Sequence, residues 1–407
     1  MSMKSIYYSI LIACSFVLQS CISTSSEKRE QESLTQYVEP RIGTAHCRWF
    51  HFAPGAMPFG MAKPGPSTNG HLGNASGWEA TGYDYRENSI EGFPCLHEFQ
   101  VGGIVLMPTT GKLITVPGLP TDSIKTGYRS HFDRANEVAT AGYYSVLLDD
   151  YQIRAEVTAT PRVAYQRFHF PKGAENHLLF DIGNRQGESG AVADAFVSYT
   201  EDGRVEGWVI TLPEYVKKYQ PGAQVPLYFS AVLDKQPSSF GTFQGEKQQP
   251  GARELKGIGA GVYLTYDFPE ADSVTAKIGL SYTSVENARL NLEAEAKDLS
   301  FDEAKEQAHR TWEEYLGRIR VETSKQEDKV KFYTGLYHAL LGRGLANDVN
   351  GAYPKNDGSI GQLEMKDGKP VHNIYNTDAA WGAQWNLSQL WICLLYTSPS
   401  PRDKRQS

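Results

Sequence analysis

Several residue groups in this 407-residue chain are of types that do chemistry. Asp348-Val349-Asn350-Gly351 offers oxygens in the manner of a calcium loop. An EF-hand would also need Gly where Tyr353 stands and Glu where Ser359 stands, so a plain turn is expected. The five cysteines fit no zinc spacing, and the three left beside Cys21 after loss of Cys14 (Cys47, Cys95 and Cys393) give no disulfide framework. No nucleophile elbow, P-loop or dinucleotide fingerprint stands in a supporting context. His46 and His51 flank a glycine-rich loop and read as loop hydrogen-bonders rather than catalysts. Trp78 is different. It lies in Ser76-Gly77-Trp78-Glu79-Ala80-Thr81-Gly82, where glycines let the backbone turn and push a side chain outward. An outward Trp face is a dry platform for a sugar ring. The alternative is a core Trp in a strand turn, and Trp208, in a predicted strand, provides the comparison.

The elements around these residues follow from composition and period. At 40% apolar and 21% charged residues the chain is an ordinary globular protein, and its length suggests two domains, or one and a fragment. The net charge of -7 and the lack of a Lys/Arg-rich run exclude a nucleic-acid partner, which would need a basic stripe. The 23 Tyr, 17 Phe and 7 Trp suit carbohydrate contact and an all-β core equally well. From Tyr37 to Thr283 the pattern is β. Val274, Ala276, Ile278, Leu280 and Tyr282 alternate with more polar neighbours, and Ile153, Ala155, Val157 and Ala159 do the same, predicting one buried and one wet face. Asp202-Gly203 between two β-rich runs predicts a type I′ hairpin. Many short strands with Gly/Pro punctuation predict a large sandwich. After Ser300 the period becomes helical, with a Ser300/Glu303 capping box and a stripe of Ala304, Ala308, Trp312, Tyr315 and Ile319. A second helix is expected around Val330 to Leu341, and Trp381 to Leu395 is expected to open a third.

At the N-terminus, Lys4 precedes an apolar run from Ile6 to Leu18 that is too short for a mature membrane helix and typical of a signal peptide. It closes on Leu18-Gln19-Ser20-Cys21, similar to a bacterial lipobox, in which Cys21 is acylated and becomes the mature N-terminus; an ordinary signal-peptide cut nearby is the alternative. Such an anchor makes the protein exported, as a periplasmic or outer-membrane lipoprotein, with membrane contact only through the lipid.

Seven segments in order carry a family resemblance. They are Tyr37–Thr44 with Phe52–Met61; Ser76–Tyr85; Ile90–Phe93 with His97; Leu106–Gly111; Ala141–Val146; Glu156–Arg162; and Phe332–His338. Together they resemble glycoside hydrolase family 92 over about Tyr37 to Trp391. The resemblance implies a β-sandwich (supersandwich, galactose-mutarotase-like), a helical linker and the start of an (α/α)6 toroid. On that reading 1–20 is signal peptide, 21–35 a polar tether, 36–283 the sandwich, 284–325 the linker, 326–395 the beginning of the catalytic domain and 396–407 a non-native tail.

The activity the resemblance implies is that of an inverting, Ca²⁺-dependent exo-α-mannosidase acting on α-mannoside glycans, N-glycans or mannans. Its catalytic carboxylates and most calcium ligands are expected beyond the end of this chain, so no catalytic residue is named and the chain alone is expected to be inert. Trp78 falls at the family's sugar-contacting tryptophan, with Glu79 beside it. His97 matches a family histidine, although Cys95 stands where a second His is common and Glu98 where an apolar residue is common. Trp78, Glu79, His97 and Glu98 are the candidate sugar-binding residues. Gly382 stands where the family often has Asp, which opens the linkage and sugar preference; Asp378 is the candidate substitute. A non-catalytic carbohydrate-binding sandwich lipoprotein, and a sandwich-plus-toroid glycosidase with another sugar preference, are the competing readings.

Overall fold

The computed structural model describes residues 32–45, 52–68, 70, 82–97, 102–119, 126–183, 191–212, 221–342, 344–376 and 386–394. The first strands are β1 (Ser89–Ile90), β2 (Phe93–His97), β3 (Gly102–Thr110) and β4 (Ser130–His131). Next come β5 (Val138–Thr140), β6 (Tyr143–Leu148), β7 (Ile153–Ala159), β8 (Val163–Phe170) and β9 (Gly173–Asp181). The series continues with β10 (Ala191–Tyr199), β11 (Val205–Leu212), β12 (Val225–Leu233) and β13 (Ser239–Gln244). It closes with β14 (Lys247–Pro250), β15 (Glu254–Lys256), β16 (Ala260–Phe268) and β17 (Asp272–Ser281). Nine of these form a sheet in the order β15-β10-β11-β12-β17-β8-β7-β6-β5, and six form a second in the order β14-β13-β16-β9-β3-β2. The expected sandwich is therefore present. Its core holds the inward residues of both sheets, among them Val157, Phe168, Phe180, Val262 and Ile278.

Four helices follow: α1 (Val285–Ala296), α2 (Phe301–Leu316), α3 (Gln326–Leu341) and α4 (Leu387–Leu394). The capping box forms as its sequence requires, the Glu303 N–H donating to Ser300 Oγ (3.3 Å) and the Ser300 N–H to Glu303 Oε2 (2.9 Å). Helices α1 and α2 cover the outer face of the larger sheet, where Leu292, Ala296, Phe301 and Ala304 meet Val163 and Tyr165 of β8. This corrects the expected wet face of β7: Glu156 and Thr158 are both buried there. Alternation marks a face that is apolar; it cannot tell whether a distant helix will cover the other one.

A further cluster joins the two regions. Trp312 is completely buried with Leu34, Ala56, Leu316, Tyr337 and Leu340, and its indole donates to the Ala56 carbonyl at 2.9 Å. The N–H groups of Leu34 and Thr35 both donate to the Glu313 carboxylate, at 2.9 and 2.8 Å, clasping this segment to α2. Among the described residues no helix is long and apolar enough to cross a membrane.

Two local expectations change in detail. The Asp202–Gly203 hairpin joins β10 to β11, but Gly203 has φ +82° while Asp202 does not adopt positive φ, which a type I′ turn needs at both central residues. Thr200 and Arg204 close the loop instead, the Thr200 N–H donating to the Arg204 carbonyl at 2.8 Å. Trp208 is half-buried on the outer face of its sheet, so Trp312 is the interior tryptophan for comparison.

Candidate functional site

Strand β2 lies at an edge of the six-stranded sheet and ends at His97, whose side chain is 4% exposed. His97 Nδ1 stands 3.3 Å from the Lys63 carbonyl oxygen. That oxygen can only accept, so Nδ1 carries the proton and Nε2 keeps its lone pair. Nε2 is buried with no hydrogen-bond partner among the described residues. Burial pushes the imidazole down to about 4, with the Lys63 carbonyl contact opposing and the Lys63 charge reinforcing that shift. The ring is neutral at physiological pH. It presents a bare acceptor.

What Nε2 faces is set by Gly82. This residue has φ +83°, and a Cβ there would sit 3.4 Å from His97 Nε2 and 3.0 Å from Ser67 Oγ. Gly82 also fastens the two ends of the segment that carries Trp78. Its carbonyl accepts from the Thr68 N–H (2.7 Å), while the Asp84 N–H donates to Thr68 Oγ1 (2.9 Å). Beneath this clasp, Ser67 Oγ donates to Glu91 (2.8 Å), and Arg129 bridges Glu91 (3.1 Å) and Ser89 (2.8 Å). On the far side Lys63, completely buried, donates through Nζ to the Gly342 carbonyl at 2.5 Å, directly after α3. The His97 surroundings are thus tied to both the sandwich and the helical region. Cys95, two residues earlier, is an interior thiol that burial pushes up, so it stays protonated.

A second buried polar group lies where β17, α1 and the 347–351 turn meet. The Asp348 carboxyl accepts from Ser281 Oγ (3.0 Å), Thr283 Oγ1 (2.5 Å) and Asn291 Nδ2 (2.7 Å). Burial pushes this carboxyl up, and those three donors pull it partly back. The Gly351 N–H donates to the Asp348 carbonyl at 2.9 Å, so the segment is a turn. Nearby, Arg162 donates to the Asn347 carbonyl (2.8 Å) and to Glu295 (2.9 Å), which also accepts from Thr160 (2.7 Å).

Neither cluster suits calcium. Ca²⁺ takes six to eight oxygens, whereas Asp348 is surrounded by donors and Glu91 is held by Ser67 and Arg129. Among the described residues no three His, Cys, Asp or Glu side chains gather as a metal would require.

Of the residues read from sequence, His97 is described. Trp78, Glu79, Glu98, Cys21, His46, His51, Asp378 and Gly382 lie outside the described residues. Sequence reasoning missed Lys63, Ser67, Gly82, Glu91 and Arg129 as neighbours of His97. Ser67 stands within the Pro64–Thr68 run and Glu91 within a recognised motif, but nothing local indicates that they converge.

Comparison with known proteins fits this arrangement. The Glycosyl hydrolase family 92 N-terminal domain matches residues 37–281, and the Glycosyl hydrolase family 92 catalytic domain matches residues 287–399. A family GH92 α-mannosidase from Bacteroides thetaiotaomicron is similar with a TM-score of 0.77 at 25% identity, covering 88% of this chain and 47% of that one. Its complex with mannoimidazole gives the same TM-score and identity over 88% and 46%. A family GH92 inverting mannosidase from Bacteroides thetaiotaomicron VPI-5482, at 21% identity and a TM-score of 0.70 over 89% and 46%, shares the fold. No curated protein matches. The chain spans about half the length of these solved relatives. With both domains matched in order across most of its length, the chain belongs to glycosyl hydrolase family 92.

Proposed function

We propose that the full-length protein is an exo-acting α-mannosidase that cleaves α-mannosides of N-glycans or mannans with inversion, and that this chain supplies the sandwich's share of its sugar site. The observation that carries this is the ordered match to both family 92 domains, joined to the fold likeness with an α-mannosidase that binds mannoimidazole. Inversion needs an acid and a base carboxyl about 6.5–9.5 Å apart, with a water between. The carboxyls of Glu91, Glu295 and Asp348 are engaged by structural partners, so we assign acid and base to residues outside the described set. Calcium, on the same reading, is held outside it too.

Within this chain the proposed roles are recognition and orientation. Trp78, Glu79 and Glu98 contact the sugar, and His97 Nε2 accepts a hydrogen bond from one of its hydroxyls. Cys21 carries the lipid that anchors the exported protein, in the periplasm or at the outer membrane. The test uses the product of the full gene with an aryl α-mannoside, following the released sugar by NMR and repeating the assay with a calcium chelator. Initial release of β-mannose, lost on chelation, is expected. Turnover of an α-glucoside with the α-mannoside left intact would reject the reading.

A further inference from the structure

The larger sheet carries a second surface of a different kind. Phe196 of β10 stands directly opposite Trp208 of β11, and Trp208 directly opposite Tyr228 of β12. Since alternate residues share a face, all three point away from the core, which takes Val197, Val209 and Leu227 from the same strands. Each ring is half-buried, yet none joins any of the three hydrophobic clusters. The Phe196 and Trp208 rings lie 6.3 Å apart with 28° between their planes. Gly207 permits the close approach of their strands, because a Cβ there would fall 1.9 Å from the Phe196 carbonyl oxygen. The row continues to Lys256 of β15, opposite Phe196, whose ammonium sits 5.6 Å from the Trp208 ring centre.

Among the described residues the cations beside this row, Lys256 and Arg289, are paired. Burial pushes the Tyr228 phenol up, and the Glu286 carboxylate stands near enough to add to that push. Lys256 lies 3.3 Å from the Asp194 carboxylate, and Arg289 of α1 is bonded to Glu206. A compensated rim offers little to a phosphate chain or an anionic lipid surface, which recruit uncompensated cations. It complements an uncharged ligand that brings hydroxyls for the rim and apolar C–H faces for the rings. We propose that Phe196, Trp208 and Tyr228 form an accessory platform for a neutral hexopyranose chain, on the other sheet from His97 and independent of the mannosidase reading. The aromatic rings supply contact area, and the Lys256–Asp194 pair supplies hydrogen bonds that orient the chain.

The experiment is affinity electrophoresis of the protein in gels containing yeast α-mannan or barley β-glucan. Retardation by at least one polymer is expected, weakened at least fivefold in Trp208→Ala and in Tyr228→Ala, with the urea midpoint and aryl-mannoside turnover unchanged. Lys256→Ala, at an exposed position, gives a smaller loss and serves if either aromatic variant fails to fold. No retardation of the wild type, or retardation that survives all three substitutions, overturns the platform. So does a Trp208-dependent shift to dimer in light scattering, or Trp208-dependent pelleting with phosphatidylglycerol vesicles, in a protein that neither gel retards. Turnover is read separately, so loss of the platform and loss of the mannosidase reading are distinguishable.

Discussion

Asp348 and His97 are both buried polar residues at places where separate segments meet, and they are finished differently. The Asp348 carboxyl is filled by Ser281, Thr283 and Asn291. His97 has a carbonyl on one ring nitrogen and, among the described residues, no partner on the other. Buried polar atoms in folded proteins are nearly always paired, because an unmade bond costs the full desolvation of the group. A network that pairs its members explains itself as structure. An atom left open among the described residues, beside a glycine whose Cβ would stand 3.4 Å away, is free to take a partner from elsewhere. Thr109 Oγ1, Gln166 Oε1 and Tyr266 Oη are also buried without a partner among the described residues, so an open atom alone does not mark a site. At His97 it coincides with a family motif and with Gly82 beside Nε2.

The contrast can be broken most forcefully at the tryptophans. Trp312→Ala removes a fully buried ring and should cost about 3–5 kcal/mol, read as a lower urea midpoint. Trp78→Ala should leave that midpoint nearly unchanged while kcat/KM on an aryl mannoside falls sharply. Equal destabilisation by the two would place Trp78 in the core. Next comes Asp348→Ala, which empties an acceptor serving three donors and should cost roughly 3 kcal/mol or more. Mannoside KM in the folded fraction should stay as in the wild type. A specific rise in KM would bring Asp348 into the site after all.

His97 sharpens the comparison through pH. Its folded value of about 4 lies below the ordinary 6.5, so between these limits the unfolded chain binds the proton more readily. Stability from this group is therefore present above pH 6.5 and lost as pH falls towards 4, by on the order of 3 kcal/mol. His338, pushed down to about 4 by burial, adds to the same fall. In His97→Gln the acid-side loss should be shallower; an unchanged profile would mean that His97 is not held neutral. The smallest effect is expected at Gly82→Ala. Positive φ costs a side chain about 1 kcal/mol, and the new Cβ would crowd Nε2 from 3.4 Å. KM for the mannoside should rise more than stability falls.

How far the sequence could be read follows from how local each feature is. The Ser300/Glu303 box is complete within one element and appears as written. Val274, Ala276, Ile278 and Leu280 are buried as the alternation predicts, but the expected wet face of β17 is covered at Gly279 and Ser281 and, just beyond the strand, at Thr283. The buried outer face of β7 depends on α2, more than 140 residues further along, and no period within β7 encodes it. The Asp348 turn was legible because Tyr353 and Ser359 fail the EF-hand pattern, but its burial depends on Ser281, Thr283 and Asn291. The site divides in the same way. His97 could be named from its motif, whereas its open Nε2 is the joint product of Lys63, Ser67 and Gly82.

The central claim, that His97 Nε2 is an acceptor reserved for a sugar hydroxyl, is tested most directly by NMR of the full-length protein with ¹⁵N-labelled histidine. Spectra that correlate ring nitrogens with ring protons report which nitrogen is protonated and whether its environment changes, with His97→Gln assigning the signal. At pH 7 the account predicts a neutral ring protonated at Nδ1, with an unprotonated Nε2 whose resonance moves when mannoimidazole is added. A ring protonated at Nε2, or an Nε2 signal that stays in place at saturating inhibitor, would contradict it.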